Sequence, residues 1–134
     1  MPANTQLTSL TSGSVWAGWI ITGLVVLFLA FDGVTKMINV APVVEASEKL
    51  GFLQHTLFSI GFVLLACTAV YAIPPTAILG AILLTGYLGG AVAIHARVGS
   101  GAFPIIFSIG FGVSAWVGLV LREPRLLWTI LLRQ

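Results

Sequence analysis

Two short stretches hold most of the residues able to do chemistry. In AFDGVTKMI (30–38) a carboxylate, Asp32, stands four residues before an ammonium, Lys36. That spacing puts both on one helix face, with the acid N-terminal as the pair prefers, and Asn39 continues the stripe by one turn. In LLTGYLGGAVAIHARVG (83–99) a phenol, Tyr87, precedes His95 and Arg97. A histidine titrates near neutrality and can pass a proton. Asp, Lys, His and Arg gathered at one place could hold the polar head of a small molecule or act as acid and base. They could also simply pair to lock helices together.

The elements that must position these residues are apolar. Of 134 residues, 58% are hydrophobic and only 7% charged, and the mean hydropathy is +1.09. An ordinary soluble domain carries about 25% charged residues, so lipid is expected to be the outer solvent. The net charge of +2 gives no basic patch for nucleic acid. The single cysteine, Cys67, lies in an apolar run and reads as a buried, inert thiol. The leader before Val15 has no Lys or Arg, and no small-residue cleavage pattern follows the first run. That run therefore reads as a membrane helix rather than a removable signal.

A helix needs roughly 20 mostly apolar residues to cross the hydrocarbon, and four segments qualify: about 15–36, 56–73, 76–97 and 103–122. Trp16 and Trp19 suit the interface. Pro74 and Pro75 suit a turn and a helix start. The segment 39–52, NVAPVVEASEKLGF, is too short and too charged to span. With Pro42 in its first turn and Gly51 as its cap, it reads as a short helix at the interface or folded over the bundle mouth. The fold class expected is all-α, a single domain (1–134) built as a four-helix up-down transmembrane bundle with this interfacial helix between helices 1 and 2.

Up-down order with short connections sends Asp32, Lys36, Glu45, Glu48, Lys49, His55, His95 and Arg97 to one membrane face. Arg122, Glu123, Arg125 and Arg133 go to the other. An ionisable group within the hydrocarbon normally turns inward toward a partner, so Asp32, Lys36, Glu45, Tyr87, His95 and Arg97 are the candidates for a polar pocket. Gly86 and Gly90 form a GxxxG step, extended by Ala93 and Arg97, that suits close helix packing. Metal-ligand spacing is lacking, and no metal site is expected. Lys and Arg are tied at three per face. The terminal-face arginines have fewer acidic neighbours, which favours cytoplasmic termini.

The chain also resembles the DoxX-like family of small integral membrane proteins. The resemblance rests on Gly33 with Lys36, Glu45 before Leu50-Gly51-Phe52, the stretch from Leu79 to Ala91 with His95 and Arg97, and Trp116, Leu119 and Arg122. It covers about residues 15–127. One departure is Pro75-Thr76, where the family often has an Arg. Distant similarity extends to the NACHO chaperone of animal nicotinic receptors and to the four-helix group of sterol isomerases and the sigma-2 receptor.

The resemblance implies a four-helix bundle in a bacterial inner membrane, tied to membrane redox systems such as thiosulfate-to-quinone electron transfer or to thiol-stress complexes. Relatives so unlike one another leave activity open. Three readings stand: an accessory protein holding a quinone-like or other lipophilic ligand, with no cofactor of its own evident; an acid-base or quinone-linked enzyme using Asp32 and His95; and a scaffold that joins a partner membrane protein or a second copy.

Overall fold

The computed structural model describes residues 2–126, with side chains over 13–126; Arg133 lies outside the described residues. Five α-helices follow one another: α1 Pro2–Met37, α2 Ala41–Lys49, α3 Leu57–Ala72, α4 Ala77–Val98 and α5 Ala102–Arg122. Four stretches are long and apolar enough to cross a membrane: Gly13–Met37, Gln54–Ala72, Pro74–Val98 and Ala102–Arg122. The sequence-based spans match these within a few residues. The helix of α1, however, begins at Pro2 rather than near Val15. Proline at a first helical position costs no hydrogen bond, and no further proline interrupts the leader.

The spans form an up-down bundle. α1 packs against α3 and α5, and α4 packs against the same two helices, so α1 and α4 occupy opposite corners. Turn chemistry explains where α1, α2 and α4 end. Asn39 adopts a positive φ of 54°, and Val40 N–H donates to Thr35 O, closing α1 with a left-handed residue that asparagine tolerates. Asn39 therefore ends the helix instead of extending the Asp32–Lys36 stripe. At the end of α2, Gly51 (φ 89°) donates to Glu48 O while Phe52 donates to Ser47 O, the paired bonds of a glycine-capped helix. Gly99 caps α4 with φ 71°.

The core runs down the bundle axis through Val25, Leu29, Leu64, Tyr71, Ala77, Ala81, Leu84, Ala115 and Leu119. In α1 the buried residues Gly18, Thr22, Val25, Leu29 and Gly33 recur at three and four positions, the seam of a packed helix. Glycines set the tightest crossings. A Cβ on Gly61 would fall on Gly33 O of α1, one on Gly18 on the α5 backbone at Arg122, and one on Gly80 on the Tyr71 backbone of α3. Small residues at such crossings let van der Waals packing and hydrogen bonds hold membrane helices that the hydrophobic effect does not drive together.

Candidate functional site

Lys36 continues the buried seam of α1: it lies seven residues beyond Leu29, two full turns, and three beyond Gly33. Its Cβ stands against the place a Gly61 side chain would occupy, so the stem is pressed between α1 and α3. The ammonium folds back to pair with Asp32 of its own helix. Side-chain exposure is 17% for Lys36 and 34% for Asp32. The expected pair is formed, and it is half-buried rather than snorkelled into solvent.

Across the bundle, α4 presents its own inward seam of Ala77, Ala81, Leu84 and Leu88. His95 lies seven residues beyond Leu88 on that seam. It is half-buried, and its Nδ1 is shut from solvent with no hydrogen-bond partner. Tyr87 sits at the edge of the same face, packed on the core, within electrostatic range of Asp32 on α1 and Cys67 on α3. Tyr87 and His95 are eight residues apart, about 12 Å along the helix. The two corners of the bundle thus turn an ion pair and an imidazole toward the interior near one end, with the phenol deeper on the same face.

Arg97 does not join them. Two residues on a helix differ by about 200° around its axis, so Arg97 emerges opposite His95. It is exposed and donates from Nη2 to Leu50 O at 3.4 Å, tying the end of α4 to the cap of α2. Glu45, Glu48 and His55 are exposed, a solvated rim rather than a pocket wall. Among the described residues no three His, Cys, Asp or Glu side chains are grouped to hold a metal ion. Gly86 and Gly90 lie on the outward face with Arg97. A Cβ on either would meet nothing within 4 Å, so the close approach suggested by GxxxG is not made inside this chain.

The opposite end holds a second polar cluster, in which the sequence pointed only to Arg122. Arg122 is 4% exposed, and its guanidinium donates from Nη2 to Tyr71 O at 2.9 Å. It lies over the rings of Trp19, at 4.9 Å, and Tyr71, at 5.0 Å. Tyr71, fully buried, donates its hydroxyl to Ala115 O at 2.7 Å. The available signal was a tyrosine in an apolar run just before IPPT, since a phenol in hydrocarbon needs a partner.

Four apolar spans around a glycine-tightened core, with the charged side chains of the described residues gathered toward the ends of the spans, define a multi-pass integral membrane protein. The DoxX-like family matches residues 20–118, and the chain belongs to that family. No curated protein and no solved structure matches it.

Proposed function

We propose that the chain holds a lipophilic molecule with a polar head, quinone-like or lipid, between Asp32–Lys36 of α1 and Tyr87 and His95 of α4, and that a partner supplies any redox step. The observation that carries this reading is the facing of the two corners: a half-buried ion pair on one helix, and on the diagonal helix a phenol and an imidazole nitrogen without a partner. Such groups are expensive within hydrocarbon. Separate polar atoms of a ligand lying along α4 would give the His95 nitrogen its missing partner and the Tyr87 hydroxyl a partner as well. The rim residues Glu45 and Arg97 would lie over the mouth rather than in it.

The test is binding of a short-tailed benzoquinone to the purified protein in lipid nanodiscs, read by tryptophan fluorescence, with mass spectrometry of co-purified lipids alongside. Saturable binding weakened about tenfold, or about 1.4 kcal/mol, by Asp32→Asn or Tyr87→Phe with helicity retained supports the site. Equal binding by wild type and both variants, with nothing co-purifying, sinks it.

A scaffold reading is favoured by a separate observation. Gly86, Gly89 and Gly90 present an open face that a helix of a partner or second copy could approach closely. Cross-linking in native membranes through a cysteine at Gly90 tests it, and a monomer under all conditions counts against it. The bilayer proposed is the bacterial inner membrane with cytoplasmic termini, because Asp32 neutralises Lys36 on the loop face. Cysteine labelling from each side checks that orientation.

A further inference from the structure

We propose that the terminal end of the bundle contains an anion site for a phosphate-type oxyanion, formed by Arg122 Nη1 and Thr22 Oγ1 beneath Trp19. The cluster joins α1, α3 and α5, and lies at the end opposite the Asp32 pocket. Thr22 is 3% exposed and Arg122 4%, yet Thr22 Oγ1 and Arg122 Nη1 are both buried without a hydrogen-bond partner. Tyr71 connects them. Its ring and carbonyl hold the guanidinium, and its hydroxyl lies beside Thr22, outside hydrogen-bond geometry.

Thr22 departs from its neighbours here. Thr35, Thr68, Thr85 and Ser114 each donate a hydroxyl to a carbonyl of their own helix, the usual solution inside a membrane. Thr22 leaves that bond unmade. A buried hydroxyl and a buried guanidinium edge without partners are each costly, and Tyr71 lies against both.

The donor set selects the ligand. Both groups can donate, and the guanidinium brings a full positive charge; the neighbouring Glu123 acts on it electrostatically, but no carboxylate forms an ion pair with it among the described residues. Negative oxygen is the complement, and Arg suits phosphate geometry in particular. Arg122 ends α5 and Tyr71 lies in the last turn of α3, so the cluster stands at one end of two of the membrane-spanning stretches. Trp19 covers the guanidinium but is itself 45% exposed, so turning its ring aside disturbs little packing. The oxyanion could come from an anionic phospholipid or from free phosphate.

The experiment follows thermal unfolding of the full chain in an uncharged detergent. Phosphatidylglycerol is expected to raise the midpoint by roughly 4 °C or more near saturation, and phosphatidylcholine by far less. A comparable rise with inorganic phosphate would support the site and assign it to a free oxyanion. Equal responses to the two lipids with none to phosphate would overturn it. Thr22→Val removes one donor while leaving the guanidinium in place. It is expected to unfold no earlier than wild type without anion, since an unsatisfied hydroxyl is removed, and to lose most of the anion-dependent rise. An undiminished rise in Thr22→Val would remove the anion from this cluster, whatever the lipid preference.

Discussion

The two ends of the bundle hold their charged residues by opposite means. At the loop end Asp32 and Lys36 neutralise each other and keep partial exposure. At the terminal end Arg122 is buried against a backbone carbonyl and two rings. An ion pair on one helix ties no helices together and leaves both groups able to take a new partner. A guanidinium that reaches from α5 to α3 and under a residue of α1 does tie helices. The difference separates an end whose charges leave the helices untied from an end whose charge joins three of them, and substitutions of graded severity test that division.

The severest is expected at Gly80. Any side chain there would fall on the Tyr71 backbone, which cannot give way as a flexible side chain would. Gly80→Val should force α4 from α3 at the terminal end and cost about 3 kcal/mol or more, the upper range for overpacking. The same substitution at Gly86, on the same helix, meets open space and should change stability by no more than about 0.5 kcal/mol. Equilibrium unfolding in mixed micelles measures both. Equal costs would mean that α4 is seated the other way round in the bundle.

Next comes Arg122→Ala. It strands the Tyr71 carbonyl and removes the packing between Trp19 and Tyr71, and should cost about 2 kcal/mol. Asp32→Asn should cost less, about 1 kcal/mol, because Lys36 is left without its counter-charge but its long stem can carry the ammonium outward. Adding Lys36→Met should recover part of that loss, since the stranded charge is then gone. If Asp32→Asn proves the more damaging of the two, the loop end is the structural one and the division above is reversed.

Much of this was legible in the residues. Span lengths and the proline and glycine positions located every crossing helix and the interfacial α2, because hydrophobic length and capping chemistry are local properties. The Asp32–Lys36 pair followed from its i,i+4 spacing. Arg97 was misplaced although the signal was present. It shares a stripe with Gly86, Gly90 and Ala93, and helix periodicity alone sets that stripe opposite His95. Which glycines make close crossings was not legible, since Gly80 and Gly86 differ only in what faces them. The Tyr71–Arg122 bond joins residues 51 apart in sequence, and its existence depends on how α3 and α5 are placed around α1. No local pattern carries that information.

A mild substitution probes the middle of the bundle, between the two ends. Thr85 on α4 accepts a hydrogen bond from Trp116 Nε1 on α5 at 2.7 Å and donates to Ala81 O of its own helix at 2.7 Å. Its hydroxyl is therefore used in both directions, the reverse of Thr22. Thr85→Val removes the interhelical bond and leaves the indole N–H without its acceptor. Hydrogen bonds between membrane helices contribute about 0.6 kcal/mol on average and reach about 1.7 kcal/mol, since the unfolded chain in the membrane also finds partners. A double-mutant cycle of Thr85→Val with Trp116→Phe should give a coupling near the lower figure. A coupling well above the upper one would mean that α4 and α5 are fastened at mid-membrane. The contrast between a permissive loop end and a tied terminal end would then be a consequence of that fastening, rather than of Arg122 and Gly80.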